Sequence, residues 1–266
     1  PNAKKVLVYS PSFGHHHAKF MNGLADLLAV NGYNVTVLIP EMDASIRLEP
    51  SAAGAIRLPT HPETKGILTR GADYGIRQLW QETSPLQAIS QLFDQRAQNF
   101  STMFDYECEL TLAHRELLSS LRADNYDLAI SEVFDLCGVG LFHLLGIPRV
   151  VLASSMHLHE FYSELLGLPP LAGSVISGFV TRAPLDFSEE WTWRHRLANY
   201  GASYGITKMM FGALLPKEER LFKQIDPDFP GFAEVLRRSA ALFSNTHPLL
   251  GFNDPTLPNI LHVGGI

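Results

Sequence analysis

Residues 5–40 read KVLVYSPSFGHHHAKFMNGLADLLAVNGYNVTVLIP, and the period of the apolar residues changes twice within them. Val6 to Ser10 is a short, β-branched apolar run, which Pro11-Ser12-Phe13-Gly14 interrupts. From about His17 to Val30 the apolar residues recur at helical spacing, with Phe20, Leu24, Leu27 and Leu28 down one side. Asn31-Gly32 then stops the helix, and Val35 to Ile39 supplies a second strand. A strand, a helix and a strand in so short a span form a right-handed crossover, the seed of a parallel sheet.

The pattern repeats outward from there. Ala55 to Leu58 reads as a third strand, and residues 74–121, rich in Gln, Leu and Ala, read as two or three helices. YDLAISEVFDLCG (126–138) gives a buried strand over Leu128 to Ser131, then a loop and a helix through Leu145. Gly146-Ile147-Pro148 ends that helix, and Arg149 to Ala153 is the next strand, so the chain alternates strand and helix as an α/β protein does. Leu166 to Trp193, with its Gly, Pro and Ser, reads as a long loop, and helices return from about Glu190 to Lys223. Ala240 to Ser244 and Ile260 to Val263 read as late strands. The fold class is α/β, a Rossmann-like parallel sheet with helices on both faces.

Composition narrows the function classes. A chain of 266 residues with 46% hydrophobic content buries a real core. Its formal charge of −6 and 21 scattered Lys and Arg lack the concentrated basic face that nucleic acid requires, so no nucleic-acid partner is expected. Cys108 and Cys137 are too few for a disulfide framework and fit no zinc spacing; a single bridge between them is left open. No apolar run approaches the roughly 18 residues of a spanning helix. The triplets Asn34-Val35-Thr36 and Asn99-Phe100-Ser101 would matter only in a secretory compartment.

In an open parallel sheet the ligand crevice lies beyond the carboxyl ends of the strands. His15-His16-His17, after the first strand, and Glu132 with Asp135, after a later one, all fall at that edge. An imidazole facing a carboxylate is the arrangement of a general base held in one tautomer, and a helix N-terminus favours the neutral ring. Solvated loop histidines and a helix-capping acid are an equal reading of the same residues. Metal binding is disfavoured, because adjacent histidines point in different directions while zinc wants converging ligands, as at i and i+4. A purification tag would be longer and terminal. SFGHHH holds one Gly, so the G-x-G-x-x-G phosphate cradle is missing, and no G-x-S-x-G elbow occurs.

SFGHHHAKFM, GYNVTVLIP, YDLAISEVFDLCG followed by LLGIPRVV, and the closing SNTHPLLGFNDPTLPNILHVGGI together resemble, in this order, the N-terminal half of the UDP-glycosyltransferases. The likeness is to the animal UDP-glucuronosyltransferase branch, nematode versions above all, and it covers essentially the whole chain. It implies a GT-B enzyme of two facing Rossmann-like domains. Residues 1–266 are then the N-terminal acceptor-binding domain, and the chain stops where the UDP-sugar-binding domain and its membrane anchor would follow. No cofactor is implied; the UDP-sugar co-substrate would be bound mainly by the second domain, in cis, and the partner of this half is a small lipophilic acceptor. Location in the lumen of the endoplasmic reticulum rests on the resemblance alone.

In such enzymes a histidine takes the proton of the acceptor hydroxyl while its oxygen attacks the anomeric carbon, inverting it and expelling UDP. Counting back from Gly32, the family spacing lands on His17; matching the Gly-His pair of the plant members would choose His15. The family's partner is usually an aspartate, whereas alignment through Tyr126-Asp127 and Cys137 places Glu132 there. The added methylene changes the reach, so Asp135 is the alternative partner. Phe13, Phe104, Phe134 and Met156 are candidates to line the acceptor pocket, with plain core packing as the competing reading that burial tendencies favour. A second functional class is a non-enzymatic half-domain that binds lipophiles or pairs with a separate donor-binding chain. The face that would meet the second domain is expected to be exposed and partly apolar, and to promote self-association into a homo-oligomer.

Overall fold

Along β1 (Lys5–Tyr9) successive side chains go to opposite faces of a sheet: Val6 and Val8 join one apolar cluster, Leu7 and Tyr9 another. The structure is a computed structural model and describes residues 3–48, 51–65, 67, 95–158, 160–168, 192–250 and 256–265. Six further strands continue the alternation: β2 (Asn34–Pro40), β3 (Gly54–Leu58), β4 (Leu128–Glu132), β5 (Val150–Ser154), β6 (Ala241–Ser244) and β7 (Ile260–His262). Every neighbouring pair is parallel, in the order β3-β2-β1-β4-β5-β6-β7. The order reverses direction between β1 and β4, where the crossovers leave toward opposite faces, the place at which open α/β sheets bind ligands.

One face is covered by α1 (His15–Val30), whose Phe20, Met21, Leu24 and Ala25 pack on Val6, Val8, Val35, Val37 and Ile130. Full burial of each large side chain contributes about 1.5–3 kcal/mol. The other face carries α2 (Gln95–Ala113), α3 (Arg115–Ala123), α4 (Cys137–Leu145), α6 (Trp193–Ile225) and α7 (Phe232–Arg237), with the short α5 (Glu160–Leu165) beside them. Tyr9, Leu38, Leu152 and Leu242 of the sheet meet Phe104, Phe142, Phe222 and Phe232 of these helices. Gly32 (φ 88°) after α1 and Gly146 (φ 72°) after α4 take the left-handed conformation that ends each helix, at the two stops marked in the sequence.

The structure extends the sequence reading in three places. The segment from about Glu190 to Lys223, expected as several helices, contains one 33-residue helix running through Pro216. Proline in a helix interior costs about 3 kcal/mol; the Lys217–Asp105 ion pair (3.0 Å) and the buried Phe222 hold the following turns against α2 and the core. α5 and α7, of six residues each, are too short to show a helical period, and the sequence reading has neither. The expected helices before Gln95 and most of the Leu166 to Trp193 loop lie outside the described residues.

Candidate active site

The loop after β1 is fastened to the end of β2. Ser10 N–H donates to Leu38 O (2.9 Å), Ser12 N–H to Pro40 O (2.9 Å), and Met42 N–H to Ser12 Oγ (3.2 Å). α1 therefore starts at a fixed place, with Gly14 as its N-cap and Ala18 N–H donating to Gly14 O (3.0 Å). The helical turn separates the three histidines. His15 and His16 are exposed, while His17 is buried, because it begins the inward stripe that continues through Phe20, Met21 and Leu24. Gly14 has extended backbone and is needed for space: a Cβ there would sit 2.9 Å from His17 Cδ2.

His17 Nδ1 contacts Glu132 Oε1, at the carboxyl end of β4, and both side chains are almost fully buried. Ser155, just beyond β5, completes a triangle: its Oγ is 2.7 Å from His17 Nδ1 and donates to Glu132 Oε1 (2.5 Å), while its N–H donates to the same oxygen (3.3 Å). β1, β4 and β5 are adjacent strands, so the three residues meet at the reversal point of the sheet although more than a hundred positions separate His17 from Glu132 and Ser155. An ionised carboxylate only accepts hydrogen bonds, so the contact leaves the imidazole with Nδ1–H inward and the Nε2 lone pair for an incoming proton.

Of the two alternative residues, neither enters this contact. His15 is exposed at the helix start. Asp135 is buried and directed elsewhere, accepting from Tyr9 O–H (3.2 Å) and from Cys137 N–H (2.9 Å). Burial pushes its carboxyl up to about 7, and the neighbouring acids Glu132 and Glu107 push the same way against the two hydrogen bonds. For His16, partial burial and then the adjacent His17 lower the pKa below the usual histidine value.

Aromatic rings wall the imidazole. Phe13 lies 4.3 Å from it between centroids and Phe134 5.2 Å. Phe13 also stacks on Phe134 (4.9 Å) and meets Phe104 edge-on (5.0 Å), so three of the four acceptor-pocket candidates form one cluster beside His17. Met156, the fourth, is 39% exposed and follows Ser155 directly. A disulfide joins Cys108 of α2 to Cys137, the first residue of α4, with Cα atoms 5.6 Å apart. It ties the helix that carries Phe104 to the segment after β4 that carries Phe134. Ser155 and this bridge are what sequence reasoning did not assign; the signal for Ser155 was its place at the carboxyl end of β5, beside β4. Among the described residues, no group of three or more His, Cys, Asp or Glu side chains could hold a metal ion.

A parallel sheet of this order, with an imidazole and a carboxylate at its reversal point, is the architecture of one half of a GT-B glycosyltransferase. The glycosyltransferase of kitacinnamycin has the same fold over 99% of this chain and 52% of its own, with a TM-score of 0.51 at 13% identity. Residues 4–266 match the family described as UDP-glucoronosyl and UDP-glucosyl transferase, and the chain belongs to that family. Relatives include "Putative UDP-glucuronosyltransferase ugt-47" of Caenorhabditis elegans, 27% identical over 99% of this chain and 47% of that protein. The 2-hydroxyacylsphingosine 1-beta-galactosyltransferase of Rattus norvegicus is 24% identical over 99% of this chain and 45% of its own length. The chain thus spans about half the length of the curated relatives it matches.

Proposed function

We propose that this chain is the acceptor-binding and catalytic-base half of an inverting UDP-sugar-dependent transferase, acting on small lipophilic hydroxyl compounds. The observation that carries the reading is the buried His17–Glu132 contact at the sheet's reversal point. His17 Nε2 takes the proton of the acceptor hydroxyl as that oxygen bonds to the anomeric carbon from the face opposite the leaving group. The bond from the anomeric carbon to the diphosphate oxygen breaks, and its electron pair leaves with UDP. Glu132 holds Nδ1–H and stabilises the imidazolium as it forms. Phe13 and Phe134, both half-buried, give an apolar surface on which a planar acceptor would rest beside His17, with the fully buried Phe104 packed behind them.

The nucleotide sugar would be held chiefly by a second domain in cis, since the first strand–helix turn carries no glycine-rich phosphate cradle. A lumenal setting is part of the same proposal, and the Cys108–Cys137 bridge supports it, because such bonds persist in oxidising compartments. Self-association of the chain without its second domain belongs here too, and light scattering over a concentration series reads it.

The test is product formation from radiolabelled UDP-glucose or UDP-glucuronic acid with a panel of phenols. This chain alone is compared with this chain covalently joined to the donor-binding half of a family relative. Transfer by the joined protein alone is expected. Lipophile binding by calorimetry with no transfer in either, both being folded, would instead make the chain a binding module.

A further inference from the structure

Ser155 has a geometry that a turn residue after β5 does not need. Its Oγ is within hydrogen-bond distance of both members of the His17–Glu132 contact, at 2.7 Å and 2.5 Å. Three atoms in mutual contact must share two hydrogens, and the sharing has one solution. Glu132, as a carboxylate, donates nothing, so the short Ser155–Glu132 contact requires the hydroxyl to donate to Oε1. With that hydrogen spent, the Ser155 Oγ contact to His17 Nδ1 requires Nδ1–H to donate. The opposite tautomer would set a bare Nδ1 against the carboxylate oxygen, lone pair against lone pair. Free imidazole side chains in water favour the proton on Nε2, so the protein must impose the reverse.

Ser155 is itself held from behind. Asn245, the residue after β6, donates from Nδ2 to Ser155 O (3.1 Å) and from its N–H to Ser154 O (2.9 Å), and its Oδ1 accepts from Gly265 N–H (3.3 Å). Ser154 Oγ donates to Met156 O (2.8 Å), closing the turn. The hydroxyl therefore does not wander with a loop. With Ser155 N–H also on Glu132 Oε1, one residue fixes two of the donors around that oxygen.

We propose that Ser155 is a positioning residue of the transfer reaction: its hydroxyl orients the Glu132 carboxylate and locks His17 in the Nδ1–H tautomer, so that Nε2 faces the acceptor as a bare base. The use of that base rests on the function proposed above, whereas the tautomer does not. A structural serine would lose stability on substitution but leave the imidazole as it was, and this difference makes the role testable.

The measurement is a long-range proton–nitrogen correlation spectrum of this chain, labelled with nitrogen-15 histidine and titrated from about pH 6 to 9, the range spanning ordinary imidazole titration. The His17 signals are identified by their loss in His17→Gln. In the unsubstituted chain a protonated Nδ1 and a bare Nε2 are expected at the alkaline end. Ser155→Ala should move both nitrogens toward averaged values, and Ser155→Thr, which keeps the hydroxyl, should restore the single pattern. In the joined enzyme Ser155→Ala is expected to lower kcat about tenfold, a fraction of the 10²–10⁴ that a positioned base supplies, with the acceptor KM changed less than about twofold. If Ser155→Ala does not fold, Ser155→Cys, of similar volume but a weak donor, carries the same comparison. An unchanged tautomer in a folded Ser155→Ala or Ser155→Cys chain overturns this inference and leaves the assignment of the base standing. Near-normal turnover of His17→Gln would overturn the base while leaving the tautomer result intact.

Discussion

At the scale of single residues, the site separates two buried acids that the sequence sets three positions apart. Glu132 touches the imidazole, and Asp135 touches Tyr9 and the start of α4. In the joined enzyme Glu132→Gln should cut kcat by on the order of a hundredfold, because an amide can present its NH₂ to Nδ1 and favour the wrong tautomer. Asp135→Asn keeps an oxygen for Cys137 N–H and should leave turnover within about threefold, since it holds no reacting group. Equal losses in the two variants, with both proteins folded, would mean that the carboxylates act as a unit. The place of His17 was readable in the sequence only through the family resemblance, whose spacing counts back from Gly32, and the buried stripe of α1 begins on the same residue. Ser155 was not, because a serine after a strand has many uses, and its partners lie 138 and 23 positions away.

At the scale of elements, the strand and helix alternation in β1–α1–β2 and in α4–β5 was legible because Gly or Pro punctuates the changes of period there. Asn31-Gly32 and Gly146-Ile147-Pro148 end helices in the structure where they do in the sequence. The bridge between α2 and α4 was not legible, since pairing of two cysteines depends on how helices dock. Both cysteines are fully buried in the large core cluster. Their 29-residue separation closes a loop whose entropy in the unfolded chain is worth about 3.6 kcal/mol. Cys108→Ser should therefore lower Tm by several degrees in thermal melts, and a reductant should lower the Tm of the unsubstituted chain but not that of the variant. A variant that melts with the unsubstituted chain under oxidising conditions would show that the bridge does not carry this stability. The close fit around α4 has the same origin: a Cβ at Gly140 would lie 2.5 Å from the ring of Phe222, so α4 and α6 meet through a missing side chain.

At the scale of the whole molecule, the face of the sheet that carries α2, α4 and α6 buries acids, Asp135 and Glu218 among them. Glu218 is fully buried and neither oxygen has a hydrogen-bond partner among the described residues, and burial, then the charges of Asp135 and Asp105, raise its pKa well above the usual carboxylate value. Asp135, pushed up to about 7, behaves alike. A raised carboxylate pKa means that the folded state keeps its proton after the unfolded state has lost it. Stability from these groups is thus full below the ordinary carboxylate range, about pH 4, and falls as pH rises toward the folded values. Glu218→Gln removes that dependence for one group, so its Tm should match the unsubstituted chain near pH 4 and exceed it increasingly up to pH 8. Parallel melting curves across that range would place Glu218 in water. The sequence shows none of this, because glutamate on a long helix reads as a solvated face until the packing is known. The central claim, that His17 is the base, is tested most directly in the joined enzyme by comparing His17→Ala with His15→Ala at saturating UDP-sugar, with and without added imidazole. The account predicts that His17→Ala loses at least about a hundredfold in kcat and regains part of it with imidazole, while His15→Ala stays near normal. Near-normal turnover of a folded His17→Ala enzyme would contradict it.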